Sequence, residues 1–150
     1  MEESLFQRVL VPVASREDAA TTTSALVSQV DAVDGSVIAV HVIEKTRGSL
    51  DKASIEQRER DTVAIFDIVR EGLTHTEVPL ETQVLYGTDV AATIIDAAHE
   101  ANATAIMFTP RGGSHWIKLL TGDVTHELVE DSDVPIVVLP EEEEKDLAEE

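Results

Sequence analysis

The chain has 150 residues, of which 43% are hydrophobic, and this length and composition suit one globular domain with a sizeable core. It contains no cysteine, so disulfide bonds, thiolate metal sites and thiol catalysis are excluded. The 30 acidic residues outnumber the 11 basic ones and give a formal net charge of −19, which argues against binding to nucleic acid or to an anionic membrane.

The first predicted unit is a buried strand followed by a helix. The β-branched run Val9 to Val13 is typical of a parallel strand that is buried on both faces. Ser15 offers a hydroxyl N-cap, and Asp18 completes an acidic version of the capping box. The helix is predicted to run to about Asp31, before an Asp34-Gly35 turn. Its inward-facing residues are expected to be Ala19, Leu26, Val27 and Val30.

The second unit repeats this order. Ser36 to Ile43 is predicted to be another buried strand, and the helix after it is capped by Asp51 or Ser54 and ends near Gly72. Arg58 and its charged neighbours are assigned to the solvated face of that helix. Its apolar side is expected to be formed by Ile55, Val63, Ile65, Phe66, Ile68 and Val69.

A third strand differs from the first two because it alternates between apolar and polar residues. This pattern over Leu80 to Tyr86 is typical of a strand near the edge of a sheet. A Gly87-Thr88 turn leads into a helix from Asp89 to about Ala101, and a fourth strand follows at Ala105 to Phe108. The buried stripe of the helix is expected to be Ile94, Ile95 and Ala98.

The last part of the chain contains a long loop and two short elements. The loop is assigned to Thr109 to Thr121, a short helix to Asp123 to about Asp131, and the fifth strand to Val134 to Leu139. We therefore assign one domain to residues 1–140, and we interpret the acidic residues 141–150 as a mobile tail.

Strands that alternate with helices predict an α/β fold, with a doubly wound five-stranded parallel sheet and helices on both faces. Ligands of such sheets bind beyond the carboxyl ends of the strands, where the strand order reverses. In this chain the segments expected at that position are Pro12 to Ser15 and Thr109 to Val124.

The acidic surface has two interpretations, and both stay open. It could dock on a partner protein, or it could reflect adaptation to a high-salt cytoplasm in which counterions screen self-repulsion. The acids are spread along the whole chain, which favours salt adaptation and an extreme halophile as the source. Because no apolar run approaches the ~20 residues of a membrane helix and the N-terminus is acidic, we expect a cytoplasmic protein.

Three parts of the sequence together resemble the universal stress protein family, of the UspA type, and their order and spacing agree over about residues 7 to 139. They are Arg8 to Val13, Gly87 to Ile94, and a third part made of Arg111-Gly112-Gly113-Ser114, Leu119 to Val124 and Asp133 to Val138. The resemblance implies strand order 3-2-1-4-5 in an adenine-nucleotide alpha-hydrolase-like, Rossmann-like three-layer sandwich. It also implies a homodimer, which the apolar fifth strand would form, and a site for ATP or AMP with Mg²⁺ or Mn²⁺.

The ATP-binding members of the family carry a glycine, two residues, a second glycine, nine residues, and then a third glycine followed by Ser or Thr. The glycines let backbone amides approach the phosphates, and the hydroxyl donates a hydrogen bond to them. Here Gly112 and Gly122 match the second and third glycines, but Thr109 replaces the first and Asp123 replaces the hydroxyl. Ala14 stands where many relatives have Asp, so the pattern predicts a degenerate nucleotide cleft.

The resemblance therefore gives a set of candidate nucleotide-binding residues, with no catalytic and no metal-binding residue among them. The set is Pro12, Val13, Ala14, Val42, Thr109, Arg111, Gly112, Gly122, Asp123 and Val124.

The loop and the start of the last helix each allow two interpretations. Asp123 could be the N-cap of that helix and use the amides that would otherwise bind phosphate, or a divalent cation could bridge it to a triphosphate. Arg111, His115 and Lys118 could form an anion cradle, or they could pair with nearby acids. His41 is interpreted as a hydrogen-bonded core residue, since it lies in a buried strand.

No arrangement of residues predicts catalysis, so enzymatic activity beyond slow nucleotide turnover is not expected. Three functions stay open: a stress-response regulatory module whose ATP binding is weak, metal-dependent or absent, a true ATP- or AMP-binding switch with slow or no ATPase activity, and an interaction domain with an empty cleft that binds a partner protein.

Overall fold

The computed structural model describes residues 4–44, 52–109 and 122–139, and the side chains of residues 52, 53, 122 and 123 lie outside that description. Strands and helices alternate along the chain. They are β1 (Arg8–Pro12), α1 (Arg16–Ala32), β2 (Ser36–Glu44), α2 (Lys52–Gly72), β3 (Leu80–Gly87), α3 (Val90–Ala101), β4 (Ala105–Phe108), α4 (Gly122–Asp131) and β5 (Ile136–Val138).

All neighbouring strands of the sheet are parallel, and their order is β3-β2-β1-β4-β5, as expected. The strands end at different heights. Pro12 at the end of β1 lies opposite Val40, whereas β2 continues to Glu44 beside Gly87 of β3. The carboxyl end of β1 is therefore recessed beside a taller wall formed by β2 and β3.

Two hydrophobic clusters cover the two faces of the sheet. Val9, Val11 and Val13 of the first strand segment face α1 and α2, whereas Leu10 faces the cluster of α3 and α4. All four side chains are at most 1% exposed, which confirms that β1 is buried on both faces. Removal of this apolar surface from water is the main favourable term for the fold.

The first helix has the predicted N-cap, Ser15, but the Asp18 carboxylate accepts from the amide of Ala14 and not from that of Ser15, as a capping box would require. Ser15 has an extended backbone, and its hydroxyl accepts a hydrogen bond from the amide of Asp18 at 3.1 Å. The predicted inward residues of α1 are confirmed, with Val27 only partly buried against the core. In the turn after α1 it is Asp34 that has a positive φ, of 56°, and not Gly35.

One assignment on the second helix is wrong. Val63 is 60% exposed, and Thr62 occupies the buried position instead, at 1% exposure. Thr62 lies three residues before Ile65 and seven before Val69, so it belongs to the stripe that faces the core. Burial of its hydroxyl is tolerated because the group donates a hydrogen bond to the carbonyl of Arg58 at 2.8 Å.

The last two elements differ in their bounds from the sequence prediction. The helix α4 begins at Gly122, so Asp123 lies in its first turn and not at the N-cap position. The strand β5 covers only Ile136–Val138, although the amide of Leu139 still donates to Phe108 of β4 at 2.9 Å. No helix within the described ranges is long and apolar enough to cross a membrane.

Candidate functional site

A cleft of about 530 Å³ lies at the carboxyl ends of β1 and β2, where the recessed end of β1 meets α2. This volume is in the range of small-molecule sites, which is typically 300–1,000 Å³. Its apolar lining consists of Val13, Ala14, Val42, Ile43, Ile65 and Val90. Its polar lining consists of Ser15, Arg16, His41, Glu44, Arg58 and Asp61.

The cleft brings together three of the residues that the family pattern predicts for a ligand, namely Val13, Ala14 and Val42. Pro12 is buried within β1 and does not line it, and Val124 packs against the cluster of α3 and α4. Gly122 and Asp123 form the start of α4. Arg111 and Gly112 lie outside the described residues, as do His115 and Lys118 of the predicted anion cradle.

Thr109 replaces the first glycine of the family pattern, and its side chain does not point toward the cleft. Its side chain is fully buried, and its hydroxyl lies 2.7 Å from that of Thr22 on α1. With Asp18 ionised, Thr22 donates to the Asp18 carboxylate at 3.2 Å, so Thr109 is the donor to Thr22. The side chain of Thr109 therefore points into the core and does not line the cleft.

Asp18 joins this hydroxyl chain to the floor of the cleft. The amide of Ala14 donates to its second carboxylate oxygen at 2.8 Å, and the side chain is buried. Burial raises the pKa of Asp18 to about 6, although the hydrogen bonds from Ala14 and Thr22 oppose that shift. The capping-box position predicted from the sequence is thus also the link between the β1–α1 turn and the end of β4.

His41 lies on the wall of the cleft formed by the upper part of β2. Its Nδ1 lies 2.7 Å from the carbonyl oxygen of Val13, and since a carbonyl only accepts, Nδ1 carries the proton. Burial lowers the pKa of His41, so the ring is neutral near pH 7 and Nε2 is an acceptor. The expectation of a hydrogen-bonded histidine is confirmed, but the residue is only half-buried and also lines the cleft.

Sequence reasoning missed four charged residues of this cleft: Arg16, Glu44, Arg58 and Asp61. Arg58 was assigned to a solvated face, and its side chain is exposed, but it lies over the cleft because α2 crosses above the end of β2. Within the ranges that the structure describes, no cluster of three or more His, Asp or Glu residues could hold a metal ion.

The model of the universal stress protein family matches residues 5–140 of the chain. Among solved structures, a member of that family from Burkholderia pseudomallei is 20% identical, with a TM-score of 0.72 and coverage of 93% of this chain and 99% of that one. The universal stress protein of Archaeoglobus fulgidus in complex with dAMP is 17% identical, with a TM-score of 0.65 and coverage of 91% and 99%.

A further universal stress protein, in complex with cAMP, is 15% identical, with a TM-score of 0.68 and coverage of 90% and 97%. No curated protein matches the chain. At these identities the solved structures show the fold, whereas the family model covers most of the chain. The five-stranded parallel sheet and the match over residues 5–140 lead to one conclusion: the chain belongs to the universal stress protein family.

Proposed function

We propose that this protein is a cytoplasmic stress-response regulatory module that binds an adenine nucleotide in the cleft at the ends of β1 and β2, with ATP bound weakly or only together with a divalent metal. The observation that carries the proposal is the cleft itself, which is lined by both apolar and polar side chains at the recessed carboxyl end of β1. Relatives of the same fold are known in complex with dAMP and cAMP, which supports an adenine nucleotide as the ligand.

The part of the site that would bind the phosphate groups is expected to contribute little to affinity. Asp123 occupies the position where ATP-binding relatives have a hydroxyl, and it lies in the first turn of α4. A carboxylate near a phosphate costs about 1 to 4 kcal/mol per charge pair at effective dielectric constants between those of water and a protein surface. Ala14 supplies no side-chain polar group to the cleft, so a contact that relatives make through Asp is also missing.

One observation favours a second candidate function, a true ATP-binding switch with slow or no ATPase activity. Because the Thr109 side chain is buried against Thr22, it does not occupy the cleft that a nucleotide would enter.

Melting temperatures measured with AMP and with ATP distinguish these functions. We expect AMP to raise the melting temperature and ATP alone to raise it less, with Mg²⁺ or Mn²⁺ restoring the effect of ATP. Ligand at one hundred times its dissociation constant adds about 2.7 kcal/mol of stability. The experiment is done in molar KCl, because we also propose that the acidic composition is an adaptation to high salt. Equal shifts with ATP and AMP without metal indicate the switch, and no shift at millimolar ligand indicates an interaction domain with an empty cleft.

The variant Asp123→Ser completes this test. It should raise ATP affinity without metal about tenfold, which corresponds to about 1.4 kcal/mol of removed repulsion, and should change AMP affinity much less. Asp131→Ser removes the same charge from the far end of α4 and is the matched control. Unchanged ATP affinity in Asp123→Ser, or an equal gain in Asp131→Ser, contradicts the electrostatic argument.

We also propose a homodimer that forms through β5. Val138 on this strand is 45% exposed and Val129 on α4 is 58% exposed, which is unfavourable for an isolated chain. We expect light scattering at micromolar concentration to give twice the chain mass, and Val138→Lys to shift the protein toward monomer. The control is Val63→Lys, because Val63 is also exposed, at 60%, but lies on α2. A monomeric mass for the unmodified chain would contradict this proposal.

A further inference from the structure

The two arginines of the cleft are unusual in so acidic a chain. The protein has only 11 basic residues, and Arg16 and Arg58 both line the same cleft, from the start of α1 and from α2. Within residues 4–44, 52–109 and 122–139, neither guanidinium forms an ion pair. Two guanidinium groups that form no ion pair with the described residues therefore line one concave space.

Two of the acidic neighbours of Arg58 on α2 have other hydrogen-bond partners. Glu59 accepts a hydrogen bond from the hydroxyl of Tyr86 at 2.7 Å, across the groove between α2 and β3. Asp61 accepts one from the side-chain amide of Gln57 at 3.0 Å. Both carboxylates therefore accept hydrogen bonds from groups other than Arg58.

The charge of Arg58 also reaches the wall of the cleft. Besides burial, the positive charge of Arg58 lowers the pKa of His41 and the carboxylate of Asp61 raises it, so both groups lie near the imidazole. Since His41 is neutral, its Nε2 offers an uncharged acceptor beside the guanidinium of Arg58. The carboxylates of Glu44 and Asp61, which also line the cleft, can accept hydrogen bonds from sugar hydroxyls but not from an unprotonated phosphate.

The geometry points to an anion subsite formed by Arg16 and Arg58, which binds the phosphate of a nucleoside monophosphate on the α2 side of the cleft. This inference rests on the proposed function and names the group that recognises the phosphate. Guanidinium groups bind phosphate through paired, charge-assisted hydrogen bonds, and this recognition needs neither the hydroxyl replaced by Asp123 nor the first glycine replaced by Thr109. A monophosphate is preferred because a triphosphate adds charge in a cleft that also contains two carboxylates.

Calorimetric titration of AMP and adenosine against matched arginine variants tests the subsite. We expect the unmodified protein to bind AMP more tightly than adenosine, and Arg58→Gln to weaken AMP binding about tenfold while leaving adenosine unchanged. Arg60→Gln is the control, because Arg60 lies on the same helix and donates to Gln57 at 2.8 Å instead of lining the cleft. It should change neither affinity by more than about twofold. If Arg58→Gln fails to fold, Arg16→Gln provides the same test, because Arg16 lines the cleft from α1.

The possible outcomes separate this inference from the proposed function. If AMP binds but Arg58→Gln and Arg16→Gln both keep the unmodified preference for AMP over adenosine, the subsite is wrong and the proposed function stands. If Arg60→Gln weakens AMP binding as much as Arg58→Gln, the effect is one of overall charge, and the subsite is again wrong. If neither AMP nor adenosine binds the unmodified protein, both proposals fail.

Discussion

Replacing Asp18 by Asn should stabilise the protein by about 2 to 3 kcal/mol at pH 8 and by no more than about 1 kcal/mol at pH 4.5. The pKa of Asp18 is raised from 3.8 to about 6 by burial, so the folded state disfavours the ionised form. The stability linked to this carboxyl is therefore complete below pH 4 and is lost as the pH rises through 6. An amide avoids that loss because it does not titrate in this range.

The Asn side chain can keep the hydrogen bonds of the site. Its oxygen can accept from the Ala14 amide and its NH₂ can donate to Thr22, whose hydroxyl then donates to Thr109. Asp31→Asn is the matched control, since it removes the same charge from an exposed position on α1 and should change stability by less than about 0.5 kcal/mol at either pH. Chemical unfolding at the two pH values measures the difference. A less stable Asp18→Asn at pH 8 would show that the Ala14 amide needs a charged acceptor.

Replacing Gly35 by Ala should destabilise the protein by about 3 kcal/mol or more, as the most severe overpacking substitutions do. Gly35 is buried at the start of β2, and a Cβ atom there would lie 2.2 Å from the carbonyl oxygen of Phe6 and 3.0 Å from that of Gln7. Both obstacles are backbone atoms, and the Gln7 carbonyl also accepts the amide of Ser36 at 2.9 Å. Neither can move without disturbing the alignment of β1 and β2.

A second glycine provides the comparison. A Cβ atom at Gly72, at the end of α2, would meet the Cγ2 methyl of Thr23 at 2.5 Å. This obstacle is a side chain, and alanine is favoured over glycine within helices by about 1 kcal/mol, so Gly72→Ala should cost less. Thr23→Ser removes the methyl and should rescue Gly72→Ala, whereas no single side-chain change should rescue Gly35→Ala. Equal losses at both glycines, measured by denaturant unfolding, would contradict the distinction between the two contacts.

Much of the architecture could be predicted because it depends on local patterns. The apolar run of β1, the Ser15 cap and the alternation along β3 each reflect residues close in sequence, and the parallel topology follows from their order. Val63 was misplaced because an apolar residue was assumed to face the core, whereas the helical stripe passes through Thr62. A hydroxyl can occupy such a position when it bonds to its own helix.

The site was harder to predict because its contacts link distant parts of the chain. Thr109 meets Thr22 across 87 positions, and no local pattern indicates that its side chain turns toward α1. Arg58 lies over the cleft only because α2 packs across the end of β2, which local periodicity does not show. The family resemblance supplied the correct end of the sheet and three lining residues, but it gave no information on the polar wall that α2 provides.

The hydrogen-bond chain from Thr109 through Thr22 and Asp18 to Ala14 also limits which parts of the cleft can move apart. It links the end of β4 to the β1–α1 turn through buried hydrogen bonds. If those two segments separated, these polar groups would lose their hydrogen-bond partners, which costs free energy. On the opposite side, the described residues of α2 pack against β1 through apolar side chains and form no side-chain hydrogen bond to it. We therefore expect that a ligand enters by displacement of the α2 side, and that the floor beneath it stays rigid throughout.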